Sequence, residues 1–339
     1  MESIDEIRER VTITEFGVTN VHSSDFPGNY EGYDDAWDQK KFEKKFKVEI
    51  IKLQGDELEF DMIGVDAAIA NAFRRILLAE VPSMAVEKVH VYNNTSIIQD
   101  EVLAHRLGLV PIRADPRLFE YKQPGQDDEG TEQDTLELHL KVRCTKNVKA
   151  QDTTDPNQMY VNHKVLTKQM EWIPKGNQVN LGNIGPVHDD ILLAKLRPGQ
   201  EIDVRMFCVK GIGKDHAKFS PVATATYRLL PEIKLLREIE GESAERLQKC
   251  FSPGVIGLLH NKHTGSKQAY VADARRDTCS REVFRHDDLK NAVKLTRVRD
   301  HFIFLVESTG ALGPEVLMSE AIRTLQEKCH TLLRALSKT

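Results

Sequence analysis

Cysteine is scarce and scattered. The five residues, Cys144, Cys208, Cys250, Cys279 and Cys329, include no close pair. That argues against a zinc ribbon or a CxxC redox site and fits a reducing compartment. Long apolar runs are also missing, so no membrane-spanning helix is expected. Met1 to Arg10 is charged and has no apolar h-region, which speaks against a signal peptide. Asn93-Asn94-Thr95 matches a glycosylation sequon, but in a chain expected to be intracellular it reads as an accident of composition. A basic excess is lacking too: the net charge is −5 and the pI about 6.2. A chain that grips nucleic acid by its own surface usually shows a basic face. Overall there is no such footprint, although a local patch would escape this test.

Catalytic patterns are equally hard to find. No GxSxG or Cys/His nucleophile arrangement occurs. Gly211-Ile212-Gly213-Lys214-Asp215-His216 invites a phosphate-loop reading, which would make the chain a nucleotide-binding enzyme. A P-loop, however, needs four residues between its glycines and then Lys-Ser/Thr. The segment lies between two strand-like runs with Pro221 following, so a turn or interaction loop is the better reading. His105 reads as a packed or capping histidine. His260, His263 and His286 lack zinc spacing. Asp189-Asp190 and Asp127-Asp128-Glu129 sit in loop-like stretches, without the contrasting environments that acid–base catalysis requires.

What remains is an ordinary globular composition. With 339 residues, 40% hydrophobic and 29% charged, the chain holds two domains, or one with a large insertion. Residues 1–45 mix turn formers, acids and aromatics without a period and read as an extended arm whose aromatics dock locally, the alternative being a disordered tail. Phe46 to Leu53 and Leu58 to Met62 alternate around Gln54-Gly55-Asp56, a hairpin with one buried face. Strands are expected at Ala85–Val91, Leu136–Val142, Ile202–Val209 and Val222–Leu230. A short helix over Asp100–Leu107 should end on Gly108 as a C′ glycine. Tyr121–Asp134 and Lys146–Gln158 read as exposed loops. Beyond Leu230 the pattern predicts helices at Ser243–Cys250 and Arg281–Asn291. A second hairpin, Val293–Val298 with Phe302–Ser308, is expected around Arg299-Asp300-His301.

Two helices carry the functional reading. Val65–Ala79 is apolar almost all round, so it must be covered on more than one side. Asn71, Arg74 and Arg75 form its one polar stripe. Taken alone, this helix fits burial within its own domain equally well, with the arginines reaching water. From Pro314, the last helix places Met318, Ile322, Leu325, Cys329, Leu332 and Leu336 at 4-3-4-3-4 spacing, a knobs-into-holes seam. Ala321, Leu333 and Ala335 widen it. Each seam leucine is worth roughly 1.5–3 kcal/mol when buried, and an uncovered stripe approaches the patch size that monomers avoid. The pair reads as half of a helix bundle.

Residues Asn71 to Pro82 (Asn-Ala-Phe-Arg-Arg-Ile-Leu-Leu-Ala-Glu-Val-Pro) resemble the signature helix of the RNA polymerase alpha family. Val86-Glu87-Lys88-Val89 and Gln99 to Ile112 continue its archaeal and eukaryotic form. Asn20-Val21-His22, Asp25 to Tyr30 and Gly32 to Trp37 are similar to the arm of the branch that serves polymerases I and III. Gly211 to Ala223 resembles a loop of that branch.

The resemblance implies an α+β fold. A discontinuous dimerisation domain (46–82 and 233–339) would be interrupted by an inserted, mostly β domain (83–232). It implies a non-catalytic assembly subunit of the nucleus and nucleolus that pairs with a smaller alpha-like chain and then docks the second-largest subunit, the close alternative being the alpha-like subunit of polymerase II or of an archaeal polymerase. Ile69, Ala72, Phe73 and Ile76, with the seam residues, would form the dimer interface. Arg74, Arg75, His105, Arg106 and Pro111 would meet the large subunit. Relatives in polymerase II and some archaea hold zinc or an iron–sulfur cluster. With only Cys144 and Cys208 in the corresponding region, no cofactor is expected here, nor is sequence-specific DNA binding.

Overall fold

The computed structural model describes residues 3–21, 31–34, 36–148, 154–260 and 265–337. His22, Asp25 to Tyr30 and Asp35 of the arm motif lie outside these residues, as do His263, Lys338, Thr339 and part of the 146–158 loop. The chain divides into two compact units. The first comprises Met1–Ile51, Glu59–Asn71 and Thr226–Phe304, and the second Lys52–Leu58, Ala72–Ala225 and Leu305–Thr339. The fold is α+β, with helices joined to antiparallel sheets.

In chain order, α1 (Ile4–Glu9) is capped by the Ser3 hydroxyl, which accepts from Glu6 N–H. β1 (Arg10–Ile13) and β2 (Val18–Thr19) follow, then α2 (Gln39–Lys45), capped by Asp38. β3 (Lys47–Gln54) and β4 (Glu57–Ile63) turn at Gly55, whose φ of 56° suits glycine. α3 (Ala67–Ala79) stops before Pro82, which opens β5 (Pro82–Asn94). α4 (Asp100–Gly108), β6 (Thr135–Arg143), β7 (Met170–Ile173), β8 (Glu201–Ile212) and β9 (Val222–Leu235) come next. α5 (Glu242–Lys249), the hairpin β10 (Ile256–His260) and β11 (Lys267–Val271), β12 (Val293–Ser308) and α6 (Pro314–Leu336) complete the chain.

The first unit is organised on a six-stranded sheet in the order β2-β1-β12-β4-β3, with β9 also paired to β12. Its core gathers Ile239, Leu247, Phe251, Val255, Leu289, Val293 and Leu295. Three expectations are corrected here. Residues 10–13 are a strand of the sheet, Arg10 opposite Val298 and Ile13 opposite Leu295, so that part of the arm is folded. Four residues are too few for a period to show. The second hairpin is one continuous strand, β12. No residue of Arg299-Asp300-His301 has positive φ, the Asp300 carbonyl accepts from Gly64 N–H at 2.8 Å, and His301 Nε2 lies 2.7 Å from Asp61 Oδ2. At Arg281–Asn291 only a 3-10 turn forms, over Glu282–Arg285. Its buried residues Val283 and Leu289 stand six apart, which no helical face accommodates.

The first hairpin forms as expected, but its two strands differ. β4 buries Leu58, Phe60 and Met62, whereas β3, the last strand of the sheet, is exposed at every position. The arm's aromatics do dock locally. Trp37 and Phe42 rings lie 5.2 Å apart, and Phe42 and Phe46 stack at 5.4 Å.

The second unit carries a four-stranded sheet in the order β7-β6-β8-β5. Leu136, Leu138, Leu140 and Val142 of β6 alternate onto one buried face and meet Val204 and Met206 of β8, with Leu103 and Leu107 of α4 in the same core. Glu137, pointing the other way, is buried between Lys175 (3.2 Å) and Arg205 (3.5 Å). Gly108 lies inside α4 without positive φ, contrary to its expected role as C′ glycine. Leu109 caps the helix at φ −88°, and Val110 N–H closes a further turn onto the Leu107 carbonyl.

Candidate subunit interface

α6 starts on Pro314, whose missing N–H costs nothing at the first helical position. Its first half is held by its own chain. Pro314, Leu317 and Ala321 are buried, and Ala321 therefore belongs to this inner face and does not widen the seam. Past Leu325 the helix emerges, and residues 326–337 are all exposed. Of the expected seam, Met318 and Leu325 are half-buried and Ile322 is 41% exposed, while Cys329 is exposed, Leu332 66% and Leu336 72%. Leu333 adds 62% exposure beside them. Covering such leucines releases roughly 1.5–3 kcal/mol each at full burial.

On α3, Ile69 is 46% exposed and Ala72 and Phe73 are half-buried. Ile76, expected at the interface, is only 3% exposed and belongs to the chain's own core. Arg75 is exposed and Arg74 half-buried. Of the expected large-subunit contacts, His105 is exposed on α4 and Pro111 half-buried. Arg106 is partly engaged by its own unit: Nε donates to the Leu193 carbonyl at 3.1 Å and Nη2 to that of Leu192 at 2.6 Å.

The glycine loop is built for packing. A Cβ on Gly211 would stand 2.7 Å from the Phe219 ring, and one on Gly213 2.2 Å from the Leu78 carbonyl oxygen. His216 Nδ1 accepts from Lys218 N–H at 3.1 Å. Lys218 Nζ in turn donates to the Val86 carbonyl at 2.9 Å and pairs with Glu87 at 2.5 Å. These contacts fix the loop to the neighbouring strand.

Cys144, Cys208 and Cys250 are buried. Burial pushes the Cys208 thiol up to about 12. Among the described residues no group of three or more His, Cys, Asp or Glu is placed to hold a metal ion.

One cluster escaped sequence reasoning because its members lie far apart in the chain. Arg275 donates from Nη2 and Nε to Glu59 Oε1 at 2.6 and 3.1 Å, and from Nη1 to Asp61 Oδ2 at 2.7 Å. With His301 on the same Asp61 oxygen, it ties the 273–277 segment to β4 and β12. Nearby, burial pushes the Asp277 carboxyl above its ordinary value.

An exposed apolar helix calls for another chain to cover it, and sequence comparison names the family. Residues 59–329 match the RNA polymerase Rpb3/Rpb11 dimerisation domain. The chain belongs to this family. Among relatives, it is 66% identical to the DNA-directed RNA polymerases I and III subunit RPAC1 of Mus musculus over 336 residues, 98% of this chain and 96% of that one. It is 50% identical to the Saccharomyces cerevisiae protein of the same description over 321 residues, 93% of this chain and 95% of that one. The DNA-directed RNA polymerase II subunit rpb3 of Dictyostelium discoideum is 34% identical over 293 residues, 83% and 92% of the two chains. The Rpb3/Rpb11 match takes in α3 and α6 as far as Cys329.

Proposed function

We propose that this chain is the alpha-like subunit shared by RNA polymerases I and III. In this reading it is a non-catalytic assembly subunit, with the active site on other subunits, and supports transcription of rRNA, 5S rRNA and tRNA in the nucleus and nucleolus. α3 and α6 pack against their equivalents in the smaller alpha-like subunit, and the heterodimer then docks the second-largest subunit through Arg74, Arg75 and the His105 to Pro111 segment. Residues 46–82 and 233–339 act as one dimerisation domain, 83–232 as its insertion and 1–45 as an arm. The observation that carries the proposal is the outer half of α6, a leucine-bearing helix left bare in a chain 66% identical to a polymerase I and III subunit. The test is the mass of the chain purified alone and after co-expression with the smaller alpha-like subunit. A soluble one-to-one heterodimer is expected, and a well-folded monomer that ignores the partner would overturn it.

A further inference from the structure

The sheet of the first unit ends on β3, and among the described residues no strand pairs with its outer edge. Val48, Ile50, Ile51 and Leu53 are 51, 65, 49 and 49% exposed, so apolar side chains stand bare on both of its faces. A long edge strand offers unpaired N–H and C=O groups that template a further strand, and folded proteins normally shorten, bulge or cover such edges. No proline interrupts Lys47–Gln54.

The strand begins beside a concentrated positive charge. α2 presents exposed Lys40, Lys41 and Lys44, and Lys47 opens β3. Lys45 pairs with Asp300 at 2.7 Å, but among the described residues Lys40, Lys41, Lys44 and Lys47 have no acidic partner. The run is held in place at Gly64. Its φ is +80°, a Cβ there would stand 2.6 Å from the Lys45 carbonyl oxygen, and its N–H donates to the Asp300 carbonyl. The lysines are thus fixed at one end of the open edge.

We infer that β3 accepts an extended segment of a different polypeptide, apolar at alternate positions and acidic at the end lying against α2 and Lys47. Main-chain pairing would supply affinity and the alternating side chains selectivity, as in other strand additions. The acids would neutralise lysines that have no acidic partner among the described residues.

A second copy of this chain is a poor occupant. Antiparallel edge pairing about a two-fold axis sets residues of like parity opposite one another. Centred on Ile50, it places Val48 against Lys52, Glu49 against Ile51 and Lys47 against Leu53. Centred on Ile51, it places Ile50 against Lys52 and Glu49 against Leu53. Either register wastes charges on aliphatic partners.

The test compares amide hydrogen exchange over Lys47–Gln54 in the chain alone and in the assembly recovered with the tagged chain from cells. Slowing of at least tenfold in the assembly is expected, with a benzophenone side chain at Ile50 crosslinking to a different, acidic segment. Unchanged exchange, or a crosslink to a second copy of this chain, would overturn the inference. An Ile50→Lys variant should melt as the parent does, because its side chain is exposed, yet lose the protection. Retained protection in that variant would count against the strand pairing. Failure of the polymerase reading shows separately, as absence of polymerase subunits from the recovered material. The exchange comparison then still decides the fate of β3.

Discussion

Lys328 Nζ lies 2.6 Å from Glu80 Oε1, so the stretch of α6 that emerges past Leu325 keeps a surface tie to its own chain. Before it, Leu317 and Ala321 are fully buried; after it, every described residue is exposed. One helix thus serves two surfaces in succession. The pair is half open to water, so its worth lies below about 1 kcal/mol. Lys328→Met should lower stability by no more than that in a denaturant titration and leave pairing with the smaller alpha-like chain intact.

Leu332→Glu should act in the opposite way. Leu332 is 66% exposed, so a charge there costs the lone chain almost nothing. In a dry interface the same charge is expensive to bury. Co-purification with the smaller alpha-like chain should fall at least 100-fold, with an unchanged melting curve. Leu325→Glu, half-buried at the start of the bare segment, should also abolish pairing. Normal pairing in both variants would mean that the seam lies elsewhere.

Leu317→Ala tests the inner face. The residue is 0% exposed, and truncating a buried leucine costs about 2–5 kcal/mol. The denaturation midpoint should drop accordingly in the chain measured alone.

The glycine loop separates packing from phosphate chemistry. Gly213→Ala drives a Cβ to within 2.2 Å of a backbone oxygen and should destabilise the chain by roughly 1–3 kcal/mol or more. Lys214→Ala should change neither stability nor nucleotide binding, which isothermal titration should find absent in both proteins. Saturable binding lost on Lys214→Ala would restore the enzyme reading.

Asp203 gives the pH dependence. Hydrogen bonds and charge from Lys141 and then His139 hold its carboxyl below the ordinary value of 3.8. A depressed folded value means that the contribution is present above the unfolded value and is lost as pH falls through the folded one. Asp203→Asn should therefore cost a few tenths to about 1 kcal/mol at neutral pH. The deficit should shrink below pH 3.8, as followed by acid titration of stability.

α3, α6 and the strands of the four-stranded sheet could be read from their apolar patterning, because those elements are long, whereas the α+β class was what the family resemblance implied. Pro82 and Pro314 marked a helix stop and a helix start. What could not be read depends on distant partners. Arg299-Asp300-His301 looked like a turn until Asp61 and Gly64 claimed its polar groups. The seam spacing located the outer face of α6 but could not tell Ala321, turned inward, from Leu333, turned out. Ile76 was legible as apolar but not as internal, since a helix apolar all round gives no sign of which side its own chain covers.

The bare end of α6 also bears on abundance. A chain that displays Leu332, Leu333 and Leu336 until another molecule arrives is conspicuous to chaperones and proteases for as long as it waits. Supply of its mate, more than its own synthesis, would then decide how many copies survive.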